Sequence, residues 1–489
     1  MQSQVEASDM RTDQSRVAVD SQVEALYARL EESRLTGNHI KVISAAVLGD
    51  LLEFFDYFII GFVLAFIVGP WKLSYGQSAI VLLSSGLGAI FGGFFWGYLA
   101  DRYGRRPIFI ATILCFSIST GIMYFTPEGG WVFLSVFRFL VGFGVGGLYS
   151  IDLPLVQEFV PSRYRGKVGG IVTTFIPVGM IMGSVLAAYL TPHVGWRSLF
   201  IVGLIPAVLT LLIRAWVPES PRWLISRGRY DEAEKAISWA LGTEKTFLVT
   251  EGPAVHKPEP MPVHTSDHGG FMELFKYPRS LIISWGTNIA MQTGDYAVLL
   301  WGPTLLAMVL GVPPAVAAKY YIAVSIGSVL GRWFWSFGSD WFGRRYSGFA
   351  VGIVGGIGLF LAAMYHNVFL GATSVFWLIL IVTNFCVDGG FAIVGPYASE
   401  VWPKHLRASG MGSAYGFGGV GKILGPMALA IFAGSSDIVS PKATIDAIFP
   451  AFTFLSIVFI GMGVLFLFGI ETKGKTIEQI DAMVTTRNQ

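Results

Sequence analysis

Two cysteines, seven histidines and a charged fraction of only 13% are the scarce features of this 489-residue chain. Cys115 and Cys386 fall in separate apolar runs, one in each half, so a disulfide framework is not expected. The histidines are scattered, and no Ser/His/Asp arrangement or metal-ligand cluster accompanies them. A catalytic constellation is therefore missing: the chain does not read as an enzyme, and it calls for no cofactor and no metal. His264 and His268 have a helical metal spacing, but Pro258, Pro260, Pro262 and Gly269-Gly270 around them describe a linker. Net charge is +2, and no basic patch is interleaved with aromatics, so nucleic acid is excluded as a partner. Residues 1–38 are polar and charged, and no cleavable signal peptide is expected before the first apolar run.

What is abundant is apolar. Hydrophobic residues make up 53%, mean hydropathy is +0.60, and there are 59 glycines. Soluble domains carry about twice this charged fraction, and glycine suits helices that approach closely in a bilayer. Runs of roughly 20 residues or more, the length a span requires, fall at 41–69, 76–99, 107–127, 130–158, 165–190 and 196–216. Six more follow at 279–309, 315–337, 347–365, 373–399, 407–434 and 444–469. Cations collect in alternate loops: Arg102 to Arg106, Arg163 to Lys167, Arg214 to Lys235, Arg344 to Arg345, and Lys404 to Arg407. The opposite loops hold isolated ones such as Lys72, Arg197, Lys319 and Lys442. The positive-inside rule then places both termini in the cytoplasm. The expected division is a tail (1–40), a first bundle (41–216), a linker with short helices (217–278), a second bundle (279–470) and a tail (471–489). Within the first tail, Ser21 to Leu35 reads either as an amphipathic surface helix or as a solvated segment.

The halves repeat. Gly97-Tyr98-Leu99-Ala100-Asp101-Arg102-Tyr103-Gly104-Arg105-Arg106 is echoed by Asp340-Trp341-Phe342-Gly343-Arg344-Arg345, Asp340 standing 239 residues after Asp101. Glu158, Pro161 and Arg165 recur as Glu400, Pro403 and Arg407, each 242 residues later. Lipid cannot solvate such clusters, so they mark a membrane face. This pattern resembles the intracellular loops of the major facilitator superfamily of transporters. The resemblance implies an all-α membrane protein with twelve transmembrane helices in two pseudo-symmetric six-helix bundles.

Three stretches narrow the resemblance. Pro218-Glu219-Ser220-Pro221-Arg222-Trp223-Leu224, the closing Glu471-Thr472-Lys473-Gly474-Lys475-Thr476, and the Glu-x-x-Pro-x-x-x-Arg pair are similar to the sugar porter branch. There such groups latch the two halves on the cytoplasmic side when the cavity faces outward. The resemblance implies a gate of Asp101, Arg102, Arg105, Glu158, Arg165, Glu219, Asp340, Arg344, Glu400, Arg407 and Glu471. Anchoring of helix ends to lipid headgroups is the alternative role for them.

The solute positions depart from a sugar porter. Thr293-Gly294-Asp295-Tyr296-Ala297-Val298-Leu299-Leu300-Trp301-Gly302-Pro303 resembles that branch's seventh helix, but the preceding glutamines are replaced by Ala290 and Met291. The motif's asparagine is Tyr296, the fifth-helix glutamine is Thr173, and the tenth-helix tryptophan is Gly395. A hexose needs amides to replace its lost water, so a sugar is disfavoured. Gly49-Asp50-Leu51-Leu52-Glu53-Phe54-Phe55-Asp56-Tyr57 is instead similar to metabolite–proton symporters. Gly146-Gly147-Leu148-Tyr149-Ser150-Ile151-Asp152 looks like organic-ion and niacin-type transporters.

Charges inside the spans are the remaining signal, since each costs roughly 2.5–3.5 kcal/mol at mid-bilayer. Asp56, Arg138, Asp152, Asp295, Arg332, Asp388 and Lys422 should line a polar cavity between the halves. Asp56 matches the coupling aspartate of both resembled groups, and Arg138 matches its fourth-helix arginine. Burial and the Arg138 charge pull the proton affinity of Asp56 in opposite directions. A distance between them that changes with the conformation ties protonation to access; a permanent salt bridge does not. Glu53, three residues earlier on nearly the same face, relays the proton or bonds across helices. Lys422 suits a solute carboxylate or pairs with an aspartate. Tyr296, Trp301, Phe391 and Tyr397 offer rings for a planar solute or for packing.

The expected protein is thus an inner-membrane, monomeric secondary transporter whose partners are protons, lipid and a small organic solute. An organic acid moved with protons by rocking alternate access is favoured. The alternatives are a sugar or polyol symporter or facilitator, and an organic-ion exporter; a solute sensor would need a signalling domain that is not visible.

Overall fold

Inside hydrocarbon every main-chain amide must be bonded within its own segment, and the apolar runs accordingly fold as helices. The computed structural model describes residues 28–205, 207–208, 217–243, 271–403, 406–475 and 477–488, with main chain alone at 148–150, 152–154, 165–167, 170, 408, 477–478 and 485–488. The first half contains α1 (Gly37–Ile67), α2 (Tyr75–Tyr103), α3 (Arg105–Met123), α4 (Trp131–Phe159), α5 (Ser162–Thr174), α6 (Ile176–Tyr189), α7 (Thr191–Val194) and α8 (Ser198–Val202). Two linker helices follow, α9 (Pro221–Ser226) and α10 (Tyr230–Leu241). The second half contains α11 (Pro278–Leu310), α12 (Pro314–Phe342), α13 (Arg344–Met364), α14 (Val375–Val387), α15 (Phe391–Glu400), α16 (Arg407–Ala433) and α17 (Pro441–Phe468), then a tail helix α18 (Ile477–Asn488). An antiparallel hairpin pairs Phe369 with Ser374 and Leu370 with Thr373 between α13 and α14. His264 and His268 lie outside the described residues, as do residues 1–27 of the N-terminal tail.

Nine helical stretches among the described residues are long and apolar enough to cross a bilayer. The 31-residue α1 is not one of them, because Asp50, Glu53 and Asp56 crowd it. Two of the expected single runs are broken. The run at 165–190 divides at Phe175, just before Pro177, and the run at 373–399 divides over Asp388-Gly389-Gly390. Proline lacks the N–H that would continue a helical ladder, and a glycine pair holds it weakly.

Close approach within the first half depends on missing side chains. A Cβ on Gly88 or Gly92 would overlap the main chain of Phe139 and Phe143, and one on Gly142 or Gly146 that of Ser85 and Ala89. Their four-residue spacing sets α2 and α4 backbone against backbone, the small-residue packing of membrane helices.

The halves meet chiefly along α1 on α11, α2 on α16, and α6 on α12, with smaller contacts of α12 on α1 and α5. At the end remote from the cation-rich loops they are sewn together. Gly76 N–H donates to Ser435 O at 2.8 Å, Tyr75 N–H to Asp437 O at 3.0 Å, and Val439 N–H to Leu73 O at 2.9 Å. The Tyr75 and Thr444 hydroxyls share a bond of 2.7 Å, and Phe62 meets Tyr321 edge to face.

At the cation-rich end a second apolar core sits on the first half alone. Leu30, Val42, Phe159, Leu224 and Ile237 are buried together there. Thr36 donates to Ala240 O and Asn38 to Trp239 O, which ties the start of α1 to the end of α10. Of the tail stretch from Ser21 to Leu35 only 28–35 is described; residues 28–32 are helical and Leu30 is fully covered.

Candidate functional site

Asp56 and Arg138 are both fully buried, inside the first half rather than in a cleft between halves. The Thr120 hydroxyl of α3 donates to Asp56 Oδ2 at 2.6 Å. Arg138 donates from Nη1 to the main-chain oxygen of Asp56 at 2.9 Å and from Nη2 to that of Tyr57 at 2.5 Å. Its guanidinium carbon lies 5.7 Å from the Tyr57 ring centre. The expected arginine–aspartate pair is thus adjacent in space, with the arginine's bonds spent on the α1 backbone. Gly203 leaves room beside Asp56 Oδ1, where a Cβ would stand 3.2 Å away. That oxygen has no hydrogen-bond partner among the described residues.

A second group forms where the halves touch. The Lys422 ammonium lies 5.6 Å from the Tyr57 ring of the first half and 5.1 Å from the Tyr296 ring of the second. Tyr57 and Tyr296 meet edge to face at 5.5 Å, and Phe58 packs on Tyr296 at 5.6 Å. Glu53 and Asp295 are the carboxylates acting on Lys422. The stem of Lys422 rests on Gly86. Pro426, four residues on, removes the helical donor for the Lys422 carbonyl, which also faces Gly86.

A third group joins the broken helices. Arg332 grips Asp388 with two bonds, Nη2 to Oδ1 at 2.9 Å and Nε to Oδ2 at 3.3 Å. Its Nη1 reaches the Thr173 carbonyl of the first half at 3.4 Å. That carbonyl is available because the residue four further on is Pro177. The face of Phe391 covers the guanidinium at 5.0 Å.

Several expected cavity residues have other duties. Trp301 is buried with its Nε1–H on the Pro426 carbonyl at 2.9 Å and packs on Tyr75, beside the seam. Tyr397 donates to Ile470 O at 2.8 Å and stacks near Phe466, at the cation-rich end of the second half. The Thr173 hydroxyl turns back to Gly169 O. Aromatic and hydroxyl groups in spans satisfy themselves locally when a carbonyl is near, which sequence position alone does not reveal. The Asp152 and Arg165 side chains lie outside the described residues. Two buried amides were missed, Asn288 two residues before Ala290 and Gln292 one after Met291, both against Gly418, with their amide oxygens unbonded among the described residues. Their signal was an uncharged amide in an apolar run.

Among the described residues the expected gate does not bridge the halves. Arg105 pairs with Glu158 at 3.1 Å, and Ser220 also donates to Glu158. In the second half Arg344 pairs with Asp340 at 2.8 Å and Glu400 at 3.6 Å, while Thr472 donates to Glu400. Glu219 and Glu471, two members of the expected gate, cap helices here. Glu219 accepts from the Arg105 and Arg106 amides at 3.1 Å each, and Glu471 from those of Arg344 and Arg345 at 3.0 and 3.2 Å. The open amides at a helix start attract a carboxylate. Asp101 and Arg102 offer main-chain oxygens to Arg227, and Arg407 donates to Trp402 O. Each cluster is built within one half together with the segment that follows it.

The profile of a family described as sugar (and other) transporter matches residues 41–484. The chain belongs to that family. This transporter is 27% identical over 461 residues to a niacin transporter of Acinetobacter baylyi, covering 93% of this chain and 99% of the other. It is 28% identical over 418 residues to a cis,cis-muconate transport protein of the same organism, covering 84% and 92%. A 4-hydroxybenzoate transporter of Pseudomonas putida is 27% identical over 393 residues, covering 79% and 84%. Among solved structures, the inward open conformation of an E. coli xylose transporter superimposes with a TM-score of 0.71 at 22% identity, covering 91% of this chain and 99% of that one. The transporter therefore has the major facilitator fold, twelve helices in two six-helix bundles, as the repeated loops predict.

Proposed function

We propose that this transporter is a symporter that moves a small organic acid, chemically unchanged, together with protons. The observation that carries the reading is the contact of Lys422 with Tyr57 and Tyr296, one ring from each half. An ammonium over two aromatic faces suits an anion with a flat apolar body, since the rings hold the body while the charge meets the carboxylate. Its place between the halves lets a bound solute feel their relative motion, as rocking alternate access requires. The named solutes of the three relatives above, niacin, muconate and 4-hydroxybenzoate, are carboxylates of this kind.

Asp56 is the proposed coupling carboxyl, with Arg138 and Glu53 beside it. Its charge is answered by Thr120 and by the nearness of Arg138, whose own bonds go elsewhere. Protonation therefore leaves the α1 to α4 link intact, a property a cycling site needs. The cation-rich end is proposed to face the cytoplasm, with both termini there, in a monomer of the inner membrane. In this orientation the sewn end faces outward.

The test is radiolabelled uptake into proteoliposomes with niacin, 4-hydroxybenzoate, muconate and, as neutral control, xylose. An inward proton gradient should drive one or more of the acids uphill, and an uncoupler should remove that drive. Xylose driven as strongly as the acids, or uptake indifferent to the uncoupler, defeats the reading.

A further inference from the structure

Asp295 is a buried carboxyl that the coupling scheme above leaves unused. It is 1% exposed, and its Oδ1 has no hydrogen-bond partner among the described residues. The charges acting on it are Asp388, at the break between α14 and α15, Arg332 of α12 and Lys422 of α16. Tyr321 of α12 and the adjoining Tyr296 are further titratable groups close by, and beyond Lys422 stand Glu53 and Tyr57 of α1. From α17 the neighbour is the ring of Phe459, against Gly294.

Two carboxylates here share the neighbourhood of one guanidinium. Arg332 is committed to both oxygens of Asp388 and, across the boundary between halves, to the Thr173 carbonyl that Pro177 releases. An ionised Asp295 would repel Asp388 and compete for Arg332; carboxylates packed in a low dielectric do not both stay charged without cost. A neutral Asp295 does neither, and it gains a donor of its own.

We propose that Asp295 is a second proton-binding site, whose occupancy decides whether Arg332 remains tied to the first half. A proton taken from water onto the Asp295 carboxylate leaves Arg332 on Asp388 and Thr173, which holds α5 to α12. Loss of that proton to water draws the guanidinium toward Asp295 and loosens the tie. Proton binding at this site thereby favours the arrangement seen here. Its use in coupling rests on the symport reading, but proton binding itself does not.

The purified full-length protein can be followed by pH-difference infrared spectroscopy of the protonated-carboxyl stretch, without any solute. Asp295→Asn should remove one buried-carboxyl band, Asp295→Glu should move it, and Asp56→Asn should leave it in place. An unchanged spectrum in Asp295→Asn overturns the proposal. If Asp295→Asn does not fold, Asp56→Asn alone decides: it must keep a titrating buried-carboxyl band, and its absence overturns the proposal. Wild-type uptake that ignores a proton gradient would defeat symport while leaving these bands as predicted, so the two failures are distinguishable.

Discussion

Arg138 binds Asp56 through the main chain: its Nη1 lies 2.9 Å from the Asp56 carbonyl oxygen, while the carboxylate is bonded to Thr120. The arginine is therefore a structural tie as well as a nearby charge. Asp56→Asn should keep that tie. It should abolish uphill uptake and spare counterflow exchange, and proteoliposome assays of both modes separate these outcomes.

Arg138→Ala removes both carbonyl bonds and strands Asp56 near no cation. Loss of one member of a buried charged set costs about 3–5 kcal/mol. The detergent-solubilised protein should melt well below wild type, and further below than Asp56→Asn does.

Lys422→Gln should weaken carboxylate uptake more than tenfold through KM, because the ammonium that meets the anion is gone. The same variant should treat nicotinamide, the neutral counterpart of niacin, no worse than wild type does. Competition assays with the acid and its amide read the difference directly.

How far these groups were legible in the sequence depended on what each one binds. Asp101 and Asp340 announced two halves, because a charged loop between apolar runs has only one place to go. Asp56 and Arg138 were legible as neighbours through their resemblance to a known pair. The tie from Arg332 to Thr173 was not, since it depends on a carbonyl that Pro177 frees in a different half. Glu219 and Glu471 belong to a latch that the resemblance implies for an outward-facing cavity, and here they bond otherwise. Side-chain charge suggested arginine guanidinium groups, whereas the geometry offered main-chain amides. Trp301 and Tyr397 read as rings for a solute or for packing, and their buried hydrogen-bond acceptors favour packing.

Those two caps carry a prediction of their own. Glu219→Ala and Glu471→Ala should each destabilise by about 1 kcal/mol, the usual worth of a lost N-terminal cap. The sites are in different halves, so the double variant should show the sum. Thermal melts of the three proteins check this.

His39, ahead of the apolar run that begins at 41, gives a pH dependence. Burial holds its proton affinity below the ordinary value of 6.5, against a weaker opposing pull from the Phe159 main chain. The folded form binds this proton less readily than the unfolded chain, so the contribution is complete above pH 6.5 and is lost as pH falls below it. Wild-type melting temperature should drop between pH 7 and 5, and His39→Gln should flatten that slope.

The stitches between Leu73–Gly76 and Ser435–Thr444 are made of amides, carbonyls and hydroxyls. The opposite face carries full charges paired within each half. Ionic strength acts on the second kind of bond far more than on the first. Salt added outside should therefore leave the turnover rate nearly untouched, while salt sealed within the vesicle should change it, giving the carrier an asymmetry that belongs to its hinges rather than to its cargo.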